Sequence, residues 1–394
     1  MNHLSNQPFF FHLCPDDKFI DNAINMFRTV FSGRNYVCVY TKNKKAKYVK
    51  ENIDYHASTR DLLFGVQCPE IEKADVVFIH LLSDTWFRTI EKLNEKTKVV
   101  WLGWGGDYYD IILPGDLILL AKTALVQKEL SSLRKKTFSG IVRKIIFPTR
   151  RKVKVIERIN FFSPVLPAEY FMLKNARCWN TFPLRVEWNY SFSEKDISEY
   201  ELKSSDVISQ NSILIGNSAT SSGNHLEAFD ILERAGVSGR KLVVPLSYGE
   251  PGYGKAINHA GKNIFGHYFE SITEYMPVDE YVEKISQCGF VIMNHIRQQA
   301  VGNIIVLVRM GKKVLLRRES PVYSYLKEHG VHVFSVQDLS AGTVDLVTPL
   351  TEKEVAENRK IIDELWSHEK LLEKTRKLIA IFKEEHLRGV QGHE

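Results

Sequence analysis

Residues 212–235 read SILIGNSATSSGNHLEAFDILERA. Ile213, Leu214 and Ile215 are apolar without a break, Gly216 stops the run, and small or polar residues follow as far as Gly223. From Asn224 to Ala235 the apolar positions recur at helical spacing, so the segment is a strand, a loop and a helix. A short strand that is apolar on both faces belongs inside a parallel sheet covered by helices. The loop then lies at the carboxyl end of that strand, where backbone amides and the positive end of a helix capped by Asn224 suit an anion. Ser and Gly are also ordinary turn formers, and the loop alone leaves both readings open.

The same grammar extends in both directions. Downstream come KLVVPLSY (241–248), GFVIMN (289–294), a helix starting near Gln298 and stopping at Gly311, and KKVLLRR (312–318). Upstream come PFFFHL (8–13), YVCVY (36–40), DVVFIHLL (75–82), KVVWLGW (98–104), INFFSPV (159–165) and a helix after Pro167. The polar stretch FSEKDISEYELKSSD (192–206) separates the two series, and 394 residues is a natural length for two domains. The expected class is α/β, with Rossmann-like domains over 1–205 and 206–350 facing a central cleft, and C-terminal helices over 351–394 packing back across them. Ligands in such sheets bind beyond the carboxyl ends of the strands, so the residues after each strand are the ones to inspect.

In the second series HIRQQAVGN (295–303) follows a strand directly, which puts Arg297, Gln298 and Gln299 at its carboxyl end and Gly302 just inside the next helix. Arginine offers a planar fork that matches phosphate oxygens. Two such loops in one domain fit a diphosphate better than isolated turns do. Pro245 and Tyr248 end the strand VVP, and Tyr275 precedes another helix; these aromatics suit a slot for a nucleobase or a simple cover for the core.

In the first series WLGWGGDYYD (101–110) follows a buried strand, and its glycines aim Asp107 toward the cleft as a candidate base. His80, at the end of DVVFIH, is the second candidate; Asp16 and Asp17, after the first strand, come third and also suit a helix cap. GEPGYGKA (249–256) is no P-loop, because Ala256 stands where a magnesium-binding hydroxyl is needed and Pro251 lacks an amide. There is no GxGxxG and no Asp-x-Asp, so no metal and no cofactor is expected, and the diphosphate charge falls to amides, helix ends and Arg297.

The net charge of +6 is concentrated: residues 134–158 hold ten basic side chains, from Arg134 to Arg158, against Glu157 alone. Apolar residues interleave with them, a mixture that suits an anionic membrane surface, though a solvated charged helix has the same composition. The five cysteines form no CxxC, the amino terminus lacks a signal-peptide pattern, and no apolar run reaches about 18 residues. The expected location is cytoplasmic, peripheral on the inner membrane.

These segments resemble the 4-acetamido-4,6-dideoxygalactose transferases of enterobacterial common antigen synthesis, glycosyltransferase family 56. The resemblance rests on Gly216, Asn217 and Ser218 followed by Asn224 and His225, on Val244, Pro245 and Tyr248, and on Arg297, Gln298, Gln299 and Gly302. Trp101, Trp104, Gly105, Asp107 and Tyr109, with Phe78, Ile79 and His80, carry it into the first domain. It departs at the glycine-rich 249–254 stretch and at Ala219 and Thr220. It implies a GT-B fold, inversion at the sugar, a thymidine diphosphate (TDP) sugar as donor substrate and a polyprenyl-diphosphate-linked glycan as acceptor. Rival readings are a UDP- or GDP-sugar enzyme of the same fold and a non-catalytic carbohydrate-binding module; nucleic acid is not an expected partner.

Overall fold

The strands of the described residues fall into two all-parallel sheets, one of seven and one of six. The computed structural model describes residues 7–41, 45–50, 53–133, 149–190, 211–237 and 239–391. The first sheet contains β1 (Phe10–Pro15), β2 (Asn35–Tyr40), β3 (Tyr55–Ala57), β4 (Val76–His80), β5 (Lys98–Leu102), β6 (Phe161–Ser163) and β7 (Leu184–Arg185), in the order β3-β2-β1-β4-β5-β6-β7. The second contains β8 (Ser212–Ile215), β9 (Leu242–Pro245), β10 (Phe269–Ile272), β11 (Cys288–Met293), β12 (Lys313–Leu316) and β13 (Phe334–Ser335), in the order β10-β9-β8-β11-β12-β13. Every residue of β4, β9 and β12 is buried, as strands covered on both faces must be.

In each sheet the direction of strand addition reverses once. After β1 the chain builds outward through β2 and β3, then returns to place β4 on the other side of β1. In the second sheet it builds from β8 through β9 and β10, then returns to place β11 against β8. At such a switch point the connections leaving neighbouring strands go opposite ways and leave a crevice at the carboxyl ends. These two crevices are described separately below.

The units are not the contiguous halves expected. Leu113–Leu133 belongs with the second sheet, and the helix Ala121–Leu133 is fastened there: Glu227 accepts the Thr123 amide at 2.9 Å and the Thr123 hydroxyl at 2.7 Å, and Glu250 accepts from Gln127. The C-terminal helices divide at Ser367. Glu352–Trp366 stays with the second unit, where Asp363 meets Arg309 at 2.8 Å. His368–Gln391 joins the first, setting Phe382 against Phe10, Phe78 and Phe161. Charged carboxylates and one buried ring decide these memberships, and hydrophobic periodicity reports neither. The expected boundary at 205 lies outside the described residues.

Candidate functional site

The switch point of the second sheet is built from β8 and β11. Gly216 turns the chain out of β8 with φ of +66°, and a Cβ there would stand 2.5 Å from Nε2 of His225. A Cβ on Gly223 would meet the same ring at 2.4 Å. The two glycines therefore make room for a buried histidine, and the loop wraps around it. The Gln299 side chain ties this loop to the one after β11: its amide donates to Oδ1 of Asn217 at 3.1 Å and Oγ1 of Thr220 at 3.0 Å, while its carbonyl accepts the Ser222 hydroxyl at 2.6 Å. Arg297 is half-buried beside them, donating to the Gln298 carbonyl at 2.8 Å and lying 3.5 Å from Oγ of Ser222. Gln298 is buried. The turns at 217 and 298, predicted to share one site, are joined.

Both loops enter their helices through a strained residue. Asn224 (φ +48°) precedes His225–Arg234, and Ala300 (φ +57°) precedes Val301–Arg309, whose first turn contains Gly302. Left-handed backbone at a residue with a Cβ costs about 1–2 kcal/mol and gathers at functional sites. Neither helix start is closed by a side-chain cap, so the positive ends of both dipoles are directed at this crevice.

Several predicted residues have other work. Asn224 caps nothing: its Oδ1 accepts the Leu120 amide at 2.8 Å, and its Nδ2 donates to the carbonyls of Ile118 at 3.1 Å and Asn294 at 3.3 Å. It is a buried clamp between loops. Ser218 is buried and paired with Thr220 at 2.9 Å, and Pro245 is buried at the end of β9. Tyr248 is exposed, with its hydroxyl accepting from Asn217 at 2.9 Å. Tyr275 follows edge strand β10, two strands away from β8, and is 83% exposed, so it forms no wall of a slot. The 249–256 stretch is no cradle either, because Pro251 already begins a helix and Glu250 accepts the Ser221 amide at 3.1 Å and hydroxyl at 2.9 Å.

Sequence reasoning missed His295 and Arg317. Burial, with Arg297 and His225 nearby, pushes the His295 imidazole down to about 3, and its Nε2 is buried without a hydrogen-bond partner. Arg317, just past β12, donates to Oδ1 of Asn294 at 3.2 Å and brings a second guanidinium to the strand ends. The signal was present in HIRQQ and LLRR, but only the strand order sets β12 beside β11.

In the first unit the two candidate bases are sealed. Asp107 is 4% exposed; Oδ2 accepts the Leu82 amide at 3.0 Å and the Trp101 indole at 2.7 Å, and Oδ1 accepts the Trp104 amide at 2.8 Å. Burial raises its pKa despite those bonds, but a carboxylate spent on three donors inside a loop is a brace and does not reach an acceptor hydroxyl. His80 is fully buried between His12 (3.1 Å) and Tyr190 (2.9 Å), and burial holds it well below the usual imidazole range. Neither geometry is that of a base. Asp16 accepts the amides of Lys47, Tyr48 and Val49 and pins that loop. Asp17 accepts the Phe19 amide at 3.2 Å and is only partly buried, with burial raising its pKa.

Of the basic stretch, 134–148 lies outside the described residues. The helix Thr149–Arg158 buries Val153, Val155 and Ile156, and two of its cations are paired, Arg151 with Glu91 and Lys152 with Asp110, both at 2.6 Å. Among the described residues no group of His, Cys, Asp and Glu is arranged to hold a metal, and no helix is long and apolar enough to cross a membrane.

Residues 182–357, which contain this whole switch point, match the family described as 4-alpha-L-fucosyltransferase glycosyl transferase group 56. This stretch of the chain is similar to glycosyl transferase group 56. Solved structures agree on the fold of the whole chain. A glycosyltransferase from Rickettsia africae is similar with a TM-score of 0.59 at 13% identity, covering 96% of this chain and 98% of its own. The E. coli trehalose-6-phosphate protein bound with UDP-2-fluoro glucose gives 0.60 at 10% identity over 95% and 99%. Anabaena HepE in complex with UDP and glucose gives 0.52 at 10% identity over 98% and 100%. The chain has the GT-B fold.

Proposed function

We propose that this transferase takes a 6-deoxyamino sugar from a TDP-sugar and passes it, with inversion, to a polyprenyl-diphosphate-linked glycan at the cytoplasmic face of a membrane. The observation that carries the reading is the Gln299 bridge, which gathers Asn217, Thr220 and Ser222 from one strand end beside Arg297 from the other. Hydroxyl and amide groups, a guanidinium and two uncapped helix starts are the means by which a diphosphate is held without a metal. The fucosyl group in the family description is itself a 6-deoxy-galactose, the same sugar skeleton as 4-acetamido-4,6-dideoxygalactose. In the transfer the acceptor hydroxyl oxygen bonds to the anomeric carbon, the bond to the diphosphate breaks, TDP leaves with the electron pair, and the hydroxyl proton passes to water or to the departing diphosphate. Arg297 and the helix ends stabilise that leaving charge.

The membrane half of the proposal rests on the composition of 134–158 and on the resemblance. Thermal unfolding with TDP, UDP and GDP, each with excess EDTA, tests the donor. A ligand that binds only the folded chain raises the midpoint, and TDP is expected to do so most. A larger rise with UDP or GDP overturns the base assignment; a rise that needs magnesium overturns the metal-free site.

A further inference from the structure

The switch point of the first sheet is as carefully constructed, with aromatic rings in place of a guanidinium among the described residues. Phe19, Trp104 and Tyr190 meet there with ring centroids 5.3–6.4 Å apart, Trp104 nearly perpendicular to both of the others. All three are partly exposed, and Asp17 lies in the turn between β1 and Phe19, where its carboxylate accepts the Phe19 amide at 3.2 Å. Trp104 meets each of the other two edge to face, and Nζ of Lys18 lies 5.2 Å from the Phe19 ring centroid.

Two buried polar systems hold this corner in place. The first ends on Tyr190. Asn35 directs Nδ2 at the carbonyls of Phe31 (3.4 Å) and Gly33 (3.2 Å), so its Oδ1 accepts from Nε2 of His12 at 3.1 Å. That tautomer leaves Nδ1 of His12 to accept from Nε2 of His80, and Nδ1 of His80 to accept the Tyr190 hydroxyl. The second is Asp107, whose Oδ1 fixes the Trp104 amide where Gly105 turns the chain at φ +91°. Burying two neutral histidines and a carboxylate is costly, and the two systems end on neighbouring residues of this corner, the Tyr190 hydroxyl and the Trp104 backbone.

Resting on the sugar-transfer reading, we infer that this corner is a hexose-binding subsite for the acceptor glycan: a pyranose lays its C–H face on Trp104 and donates a hydroxyl hydrogen to Asp17. The C–H edges of a pyranose are weakly positive and apolar, which complements the negative face of an indole, and a carboxylate beside it supplies the polar contact that fixes orientation. Asp17 uses its carboxylate on the Phe19 amide, which leaves lone-pair directions for a ligand hydroxyl. Stacking reads the ring face and few of its substituents, so simple hexosides serve as probes.

The test is saturation-transfer NMR on the full chain with octyl β-D-glucopyranoside and octyl 2-acetamido-2-deoxy-β-D-glucopyranoside, below their micellar concentrations. Saturation is expected on the sugar ring protons, weakened about tenfold by Asp17→Asn, which still accepts the Phe19 amide, and lost in Trp104→Ala. Phe19→Ser, at a partly exposed position, provides a second reading should Trp104→Ala fail to fold. Absence of transfer in the wild type, transfer unchanged in Asp17→Asn and Phe19→Ser, or saturation confined to the octyl chain overturns the subsite. TDP is added to the same samples as a separate readout: a shift with TDP and none with hexosides removes only the subsite, and the reverse removes only the donor reading.

Discussion

The two switch points are made from the same topology and opposite chemistry. At β8 and β11 the strand ends deliver small residues, amides and Arg297, and the loops are fastened by one bridging side chain, Gln299. At β1 and β4 they deliver rings and a carboxylate, fastened from beneath by His12, His80 and Asp107. A parallel sheet supplies a crevice wherever its order reverses, and the first few residues past each strand decide whether that crevice suits an anion or a sugar ring.

The largest expected effect tests whether the second crevice depends on shape. Gly216→Ala puts a Cβ against His225 at a φ of +66°, and the added overpacking and strain predict a loss of about 3–4 kcal/mol in urea unfolding. Stability close to wild type would show that the loop can move off the histidine. Next comes the first crevice: Asp107→Ala leaves the donors of Leu82, Trp101 and Trp104 buried and unpaired, with an expected loss of about 3 kcal/mol. An active and stable Asp107→Ala would break the idea that this carboxylate is a brace.

Smaller again is Arg297→Ala, expected to weaken TDP by about 30-fold, or roughly 2 kcal/mol, in calorimetric titration while the unfolding midpoint without TDP hardly moves. A pH titration sharpens what the crevices share, since each is floored by two buried histidines. Burial holds His12 and His225 at about 4 and His295 at about 3, below the unfolded value near 6.5. Between those limits the unfolded chain binds protons that the native chain refuses, so stability falls as pH drops from about 6.5 toward 4. The slope is at most about 1.4 kcal/mol per pH unit for each histidine. Acid titration of His225→Asn should be flatter than wild type, and an equal slope would remove His225 from the account.

Much of this was legible in the chain. Buried parallel strands announce themselves as unbroken apolar runs, so β1, β2, β4, β5, β8, β9 and β11 fall where YVCVY, GFVIMN and their like predict. Short β3, β7, β10 and β13 do not, because edge strands of two to four residues carry too little pattern. At the β8–β11 crevice Asn217, Arg297 and Gln299 meet at the strand ends where their sequence positions put them. Asp107 and His80 were misjudged for one reason: a strand end places a residue at the crevice, but whether its side chain points up into it or down into the loop depends on partners far off in sequence. Leu82, Tyr190 and His12 are such partners, and periodicity says nothing of them.

The helix Ala121–Leu133 is a tenant of the second unit housed in the first half of the chain, and Phe382, near the other end, completes the core of the first. During synthesis the helix must wait for Glu227 and Glu250, more than ninety residues later, to be made, and the first sheet must wait for His368–Gln391. A single cut anywhere between residues 113 and 367 therefore leaves neither fragment with all of its own parts. Dissection of this chain calls for grafting, with the C-terminal helix carried back to the first sheet and Leu113–Leu133 sent forward to the second.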